Sequence, residues 1–372
     1  MAQLQSLDHA LSRLPISVIT GFLGSGKTTL LNKLLRHPFL ENTAVVVNEF
    51  GDIGLDHLLV RPATEDVMVI DGGCVCCTIR GDLRETLIDL YERRDKGDLP
   101  PFERVVIETT GLADPAPIIH TLLDEPSLTT YFNLDSVITT VDAVYGLAQF
   151  DEHYETIKQA AVADRLVLTK VDIADPDKLH LLEQRLRSLN PAAKLVHSTA
   201  EGLDIPQLFS AGLYNAQNKS LDVQQWLQAE SYSKAPVMPA LSIDDDVLRH
   251  DEYIRSFCIE HDSRLSWTVL NRWFQQLTAL RGKDLLRVKG IVYTVESELP
   301  IVVQGVQHIF QPPTTLAAWP SEERKSQVIF ITRNIDKKVI EQMLHVLINS
   351  KSYAESCQAA LLLLGFGAES QE

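Results

Sequence analysis

The stretch GFLGSGKT, Gly21 to Thr28, constrains the fold of this chain more than any other. It follows the apolar segment ISVIT, and its last two residues begin the amphipathic segment KTTLLNKLLR. A strand, a loop with the spacing G-x4-G-K-T and a helix form the context that a phosphate-binding loop requires. The glycines let backbone N–H groups turn towards phosphate oxygens, and the helix N-terminus adds a favourable dipole. The stretch therefore predicts a P-loop nucleotide-binding protein.

The P-loop pattern predicts a role for each residue of the loop. Lys27 would bridge the β- and γ-phosphates, and the Thr28 hydroxyl would bind Mg²⁺. The other nucleotide contacts would come from the loop and the first helical turn: Gly21, Gly24, Ser25, Gly26 and Thr29.

The chain around this loop predicts two domains. From Ile16 to about Phe209, short apolar runs alternate with amphipathic segments, which is typical of an α/β fold with a mostly parallel sheet and helices on both faces. A polar segment at 214–252 predicts a linker, and the pattern over 253–349 predicts a small α+β domain. We therefore expect an N-terminal extension at 1–14, a P-loop domain at 15–213, the linker, the α+β domain and a tail at 350–372.

Net charge, apolar runs and cysteine content indicate which partners and which compartment to expect for the chain. The chain has 372 residues and a net charge of -16, which disfavours a nucleic-acid backbone or an anionic membrane as the main partner. No secretory signal is visible at the N-terminus, and no apolar run approaches the ~20 residues that span a bilayer. Five cysteines in such a chain indicate a reducing compartment, so we expect a cytoplasmic protein.

The sequence TKVD, Thr169 to Asp172, favours guanine over adenine as the bound base. Asp172 would accept from guanine N1–H and the exocyclic amine, and the Lys170 stem would cover the base face. Adenine offers no such pair of donors, so it would leave the carboxylate unpaired. Thr169 occupies a position where Asn is the commoner choice.

Acidic residues follow two predicted strands. The strand RVVIE ends in Glu108, which we expect to hold Mg²⁺ or its waters, and the backbone N–H of Gly111 would approach the γ-phosphate. Glu49 and Asp52, after the strand TAVVVN, would supply a further Mg²⁺ contact or orient the attacking water. The predicted catalytic residues are thus Lys27, Thr28, Asp52 and Glu108, and the predicted Mg²⁺ ligands are Thr28, Glu49 and Glu108.

Three of the five cysteines crowd into the run GGCVCC, as Cys74, Cys76 and Cys77. They follow the predicted strand VMVID, so we expect them at the C-terminal end of a sheet strand, the edge at which ligands bind in doubly wound sheets. Thiolates select Zn²⁺, Cu⁺ or Co²⁺, and a set of three suits a metal that arrives and leaves. Buried structural cysteines and a thiol redox switch are the alternatives.

Cys258 and Cys357 are isolated, and we expect them to be core residues.

The motifs GFLGSGKTTLLN, NEFGDIGLD, GGCVCC, IETTGLADPAPI and TKVD, in this order, resemble those of the CobW-like family of metal-homeostasis P-loop GTPases. The resemblance extends through LLRVKGIVY and VVQGVQHIF to about residue 349. It implies a GTPase that binds Zn²⁺ or Co²⁺ through the cysteine motif and delivers the metal to a client metalloprotein. It also implies phosphate and Mg²⁺ binding by Lys27 and Thr28, guanine recognition by Lys170 and Asp172, and a place for Glu108 in the acidic motif.

The chain departs from this family at two places. It has no His-rich stretch, and Val47 stands where some relatives carry an acidic residue before the Asn of the first switch. No arginine finger is recognisable either, so we expect slow unaided hydrolysis, with a client or a second copy of the chain completing the site. A nucleotide-switched adaptor without metal cargo, and a P-loop ATPase or small-molecule kinase with structural cysteines, remain as alternatives.

Overall fold

A computed structural model of the protein describes residues 13–47, 60–64, 67–70, 74–78, 82–199, 203–209 and 254–350, together with Leu361 and Leu363. The predicted linker and most of the predicted N-terminal extension and tail lie outside these residues, and Leu14 of the predicted extension belongs to the first strand. The chain divides into two units, Met1–Leu186 with Ala193–Asn215, and Arg187–Ala192 with Ala216–Glu372. In the part of the chain that is described, no helix combines the length and the apolar character needed to cross a membrane.

A nine-stranded sheet forms the centre of the first unit, in the order β3-β4-β5-β2-β6-β1-β7-β8-β9. Its strands are β1 (Leu14–Gly21), β2 (Thr43–Val47), β3 (Val60–Thr64), β4 (Val67–Ile70), β5 (Cys74–Thr78), β6 (Arg104–Glu108), β7 (Phe132–Asp142), β8 (Arg165–Thr169) and β9 (Lys194–His197). All pairings from β5 to β9 are parallel. The pairs β3–β4 and β4–β5 are antiparallel.

Helices cover both faces of this sheet. They are α1 (Lys27–Leu35), α2 (Leu83–Asp95), α3 (Ala116–Asp124), α4 (Pro126–Tyr131), α5 (Gly146–Glu152), α6 (Tyr154–Val162) and α7 (Pro176–Leu189). The leucines of α1 pack in one core with Ile138 of β7. The next residue, Thr139, hydrogen-bonds to α6. Because successive side chains of a strand point to opposite faces, α1 and α6 lie on opposite sides of the sheet.

The second unit is a small α+β domain, as the sequence predicts. Its elements are β10 (Ile254–His261), α8 (Trp267–Arg281), β11 (Leu285–Val292), β12 (Ile301–Val306), β13 (Ile309–Phe310), β14 (Thr314–Thr315), β15 (Ser326–Arg333) and α9 (Lys337–Asn349). The sheet runs β10-β15-β11-β12-β13, with β14 on β12, and every named pairing is antiparallel. Its core contains Trp273 and Phe330 with aliphatic residues of both helices.

The sequence predicts most of these elements but not all. Within the α+β domain the sequence predicts a single strand over Pro300–Phe310. This prediction is wrong, because β12 and β13 form a hairpin there and Gln307 takes a left-handed backbone conformation (φ 53°). In the P-loop domain the predicted strands are ISVIT, TAVVVN, VMVID, RVVIET, DSVITTVD, DRLVLTK and KLVHST, and the strands β3 and β5 have no counterpart among them. The α/β class and the helices on both faces are confirmed.

Candidate functional site

The phosphate-binding loop has the backbone that its glycines permit. Gly24 and Gly26 take left-handed conformations, with φ of 74° and 90°. A side chain would strain these positions, whereas glycine adopts them at no steric cost. Gly26 is also the N-cap of α1, so the loop leads directly into the helix N-terminus, where N–H groups are available to an anion.

Two neighbouring strands hold the loop from within the sheet. The Ser25 hydroxyl lies 2.7 Å from the Thr140 hydroxyl of β7. The Thr169 hydroxyl of β8 donates to the Ser25 carbonyl oxygen at 2.8 Å. Thr169 opens the TKVD motif, so its side chain connects the predicted base-reading segment to the phosphate loop. The Thr in place of the commoner Asn thus has a defined structural task.

Thr28 and Glu108 meet, although they lie 80 residues apart. The Thr28 hydroxyl donates to Glu108 Oε1 at 2.8 Å, and the Glu108 side chain is buried at the end of β6. Hydroxyl and carboxylate oxygens are ligands that Mg²⁺ prefers. Lys27 is also buried, and its ammonium donates to the Phe22 carbonyl oxygen across the loop at 3.3 Å. These residues therefore fit the phosphate and Mg²⁺ roles that the sequence predicts for them.

The segment after β6 packs tightly against the loop. A Cβ atom on Gly111 would lie 2.7 Å from Leu23 Cα and 2.8 Å from Leu23 N, so only glycine fits there. Two side chains of α6 hold the same segment: Gln159 Nε2 donates to the carbonyl oxygens of Gly111 and Ala113, and Lys158 forms an ion pair with Asp114. Neither α6 residue was singled out from the sequence.

The predicted base-reading turn is held by the carboxylate of Asp142, a residue to which the sequence analysis assigns no role. Lys170 takes a left-handed conformation (φ 57°), and its ammonium donates to Asp142 Oδ2 at 2.6 Å. Asp142 is buried at the end of β7, where its other oxygen accepts from the backbone N–H groups of Val144 and Tyr145. Asp172 is exposed, so its carboxylate is accessible for the base contact that the sequence predicts. The sequence does contain a signal for Asp142. Like Glu108, Asp142 is a carboxylate at the end of a predicted strand.

The cysteine motif has a backbone position different from the predicted one. Cys74, Cys76 and Cys77 form part of a separate strand, β5, which turns back antiparallel to β4. Since β4 runs against the other strands, its C-terminal end lies at the sheet edge opposite the P-loop. The sequence predicts that the end of the strand VMVID brings the cysteines to the ligand-binding edge. This is wrong, because that strand ends at the opposite edge. The parallel pairing of β5 with β2 instead directs Thr78, the residue after Cys77, towards the P-loop edge.

Several predicted groups lie outside the described residues. These are Glu49, Asp52, Cys357 and the glycines before the cysteines, and the side chains of β5 are likewise not described. Among the residues that are described, no group of three or more His, Cys, Asp and Glu side chains could hold a metal ion. The roles predicted for Glu49, Asp52 and the cysteines therefore stay predictions.

The fold and this arrangement of groups define a P-loop GTPase: a phosphate loop at the centre of a parallel sheet, a buried hydroxyl–carboxylate pair beside it and a T-K-x-D turn two strands away. Comparison with known proteins agrees. Residues 15–197 match the CobW/HypB/UreG nucleotide-binding domain, and residues 254–348 match the cobalamin synthesis protein CobW C-terminal domain. The chain belongs to the CobW family.

Curated relatives and solved structures show the same likeness over most of the chain. The zinc chaperone YjiA of Escherichia coli is 31% identical over 317 residues, which are 85% of this chain and 93% of YjiA. The zinc-regulated GTPase metalloprotein activator 1 of Schizosaccharomyces pombe is 26% identical over 356 residues, 89% of this chain and 85% of that protein. The crystal structure of Zn(II)-bound YjiA GTPase from E. coli has 29% identity and a TM-score of 0.69, and the match covers 90% of this chain and 99% of that one.

Proposed function

We propose that this chain is a GTP-hydrolysing metallochaperone. It would bind Zn²⁺, or Co²⁺ as an alternative for the same ligands, through Cys74, Cys76 and Cys77, and deliver the metal to a client metalloprotein. Relatives named zinc chaperone and zinc-regulated GTPase metalloprotein activator support this proposal. Thiolates are suitable ligands for both ions.

The observation that carries the proposal is the register between β5 and β6. Cys77 pairs with Val46 of β2, which pairs with Ile107 of β6. One residue further along, Thr78 lies in the same row as Glu108. Neighbouring strands lie about 4.8 Å apart, so the backbone of the cysteine motif passes about 10 Å from the strand that ends in Glu108, the carboxylate predicted to bind Mg²⁺. This short distance supports coupling between the nucleotide and the cysteines.

Binding of GTP would use the groups described above. The loop N–H groups and Lys27 would hold the phosphates, while Thr28 and Glu108 would hold Mg²⁺, which neutralises charge on the β- and γ-phosphates when bound. The Lys170 stem would cover the base, and Asp172 would accept from guanine. The γ-phosphate would order the segment beginning at Gly111.

Coupling between nucleotide and metal would then follow from linkage. If GTP rearranges β5 so that the three thiolates meet at one metal ion, and zinc binding tightens as a result, zinc must raise GTP affinity by the same factor. Hydrolysis would release the ordered segments and lower zinc affinity, which lets the metal pass to the client. A client protein or a second copy of the chain would complete the catalytic site, because hydrolysis without an arginine finger is slow.

The test is zinc affinity measured by chelator competition with Mg²⁺ and a non-hydrolysable GTP analogue, with Mg²⁺–GDP, and without nucleotide. The proposal predicts tightening with the GTP analogue alone, by about 5- to 150-fold. Cys76→Ser should abolish this tightening. Cys258→Ser is the matched control, because Cys258 is a buried cysteine of the second unit.

Two results would overturn the proposal. Equal zinc affinities in all three states would leave the cysteines as a static site and favour a nucleotide-switched adaptor. Preference for ATP with turnover that ignores zinc would favour an ordinary P-loop ATPase or small-molecule kinase.

A further inference from the structure

Gln159 is a buried side chain that hydrogen-bonds to the segment after β6. It lies in α6 with no exposed surface, and its Nε2 donates to Gly111 O at 3.2 Å and to Ala113 O at 3.1 Å. Both partners are carbonyl oxygens, so the amide must present its NH₂ group to them and cannot flip. The other amide atom, Oε1, is buried with no hydrogen-bond partner among the described atoms.

A second contact holds the far end of the same segment. The Lys158 ammonium lies 2.8 Å from Asp114 Oδ2, and the other Asp114 oxygen accepts from the backbone N–H of Ala116 at the start of α3. Two consecutive residues of α6 thus fix the segment Gly111–Asp114, which we call the switch segment, at both ends.

The same helix is tied to the sheet and lies next to the phosphate loop. The Thr139 hydroxyl of β7 donates to the Gln159 carbonyl oxygen at 2.8 Å, which anchors α6. Just before α6, the His153 ring stacks on the Phe22 ring of the P-loop, with centroids 4.5 Å apart. Gly111 in turn packs against Leu23 of the P-loop. The helix α6, the switch segment and the P-loop are therefore in mutual contact.

We propose that Gln159 is a positioning residue for recognition of the γ-phosphate. Its amide holds the switch segment against the P-loop, at the place from which the Gly111 N–H senses the γ-phosphate. GDP lacks this phosphate, so the clamp contributes to GTP binding and hydrolysis but not to GDP binding. This inference rests on the GTP-binding half of the proposed function and not on metal delivery.

The first test replaces Gln159 by Leu, which keeps the volume but donates no hydrogen bond. Affinities for GTPγS and GDP are measured by competition against a fluorescent nucleotide, and kcat and KM for GTP in parallel. We expect GTPγS affinity and kcat to fall by about tenfold and GDP affinity to stay within about twofold. The matched control is Thr156→Val, a near-isosteric change at a buried α6 residue for which no contact with the switch segment is described.

The second test measures kcat of Gln159→Glu as a function of pH. A purely structural role for Gln159 would not predict the pH dependence described below. In this variant an ionised carboxylate donates no hydrogen bond and faces two carbonyl oxygens, whereas the protonated carboxyl group donates a single bond. Burial favours the protonated form. Relative to the wild type, kcat of this variant should therefore rise as the pH falls.

Three results would overturn the inference: GTPγS and GDP affinities that fall equally in Gln159→Leu, affinities that do not change, or a Gln159→Glu profile parallel to that of the wild type. The zinc titration separates this inference from the proposed function. Loss of GTP discrimination in Gln159→Leu supports the clamp even if wild-type zinc affinity proves independent of nucleotide.

Discussion

The Lys170 ammonium and the Asp142 carboxylate form a 2.6 Å ion pair in which Asp142 is buried and Lys170 is partly exposed. Asp142 also accepts two backbone hydrogen bonds from the turn that follows β7. The carboxylate thereby joins the ends of two adjacent strands and holds Lys170 in its left-handed conformation. Since the Lys170 stem is the predicted cover for the guanine ring, we expect Asp142 to hold this cover in place before the nucleotide arrives.

Asp142→Asn should weaken GTP binding by about tenfold, because loss of a charge-assisted hydrogen bond of this kind costs about 1.5 kcal/mol. Calorimetric titration with a GTP analogue and with an ATP analogue measures the effect, and affinity for the ATP analogue should change less. Asp151→Asn is the control, since it breaks the ion pair with Arg185, also 2.6 Å long, away from the nucleotide site. A GTP affinity that is equal in both variants would contradict the role given to Asp142.

Gly111→Ala should impair both folding and hydrolysis. The added Cβ would meet backbone atoms of Leu23 at 2.7 and 2.8 Å, so the switch segment and the P-loop must move apart. Forced overpacking of this kind costs about 1–3 kcal/mol in the free energy of unfolding. We expect a lower melting temperature and a kcat for GTP reduced by about tenfold or more.

Gly97→Ala separates this steric effect from backbone strain. Gly97 takes a left-handed conformation (φ 79°) with no atom within 4 Å of the added Cβ. It should lose roughly 1–2 kcal/mol of stability and keep its GTPase activity. If the two variants hydrolyse GTP equally well, the contact between Gly111 and Leu23 has no part in the reaction.

Glu108→Gln should lower kcat by about 100-fold and raise the Mg²⁺ concentration needed for half-maximal activity. The amide oxygen still accepts from the Thr28 hydroxyl, so the local hydrogen bond survives while the negative charge is lost. Hydrolysis rates measured over a Mg²⁺ series test this expectation. Glu103→Gln, an exposed carboxylate just before the start of the same strand, serves as the control. If Glu108→Gln shows the Mg²⁺ dependence of the wild type, Glu108 is not a Mg²⁺ ligand.

The sequence predicts the part of the site that topology alone determines. Thr28 follows a parallel strand and Glu108 ends one, and such ends meet at one edge of the sheet, so their contact is expected although they lie 80 residues apart. The P-loop conformation is equally predictable, because its glycines and its flanking strand and helix are local. The role of Gln159 depends on the carbonyl groups that the folded chain brings to it, and these partners leave no trace in the sequence. Asp142 ends a predicted strand, as Glu108 does, so the sequence marks its position but not its N–H partners.

The cysteine motif shows a different limit. A glycine pair after a strand predicts a turn, but not whether the chain leaves the sheet or pairs back onto the same strand. Here the chain pairs back, and β5 is formed by residues that include Cys74, Cys76 and Cys77. Their strand therefore has its own register with β2, which no composition or spacing would have specified.

The last prediction concerns Cys258, a thiol that should take no part in metal binding. Burial, and to a lesser degree the nearby charge of Glu260, raises the pKa of this thiol from its ordinary value of 9.0 to about 12. The thiol is therefore protonated at neutral pH, and a protonated thiol is neither a nucleophile nor a metal ligand. In the folded protein, iodoacetamide at pH 8 should leave Cys258 unmodified, whereas unfolding in urea should expose it. Peptide mass spectrometry measures both.

A raised pKa also fixes the sign of the pH effect on stability. Above pH 9 the thiol ionises in the unfolded chain but not in the folded one, so unfolding becomes easier as the pH rises towards 12. Cys258→Ala should lose this dependence, which urea unfolding at pH 8 and pH 10 would show as a smaller drop than in the wild type. Rapid alkylation of folded Cys258 would contradict the assignment, and it would also disqualify Cys258→Ser as the control in the zinc titration, because a reactive thiolate there would compete for the metal.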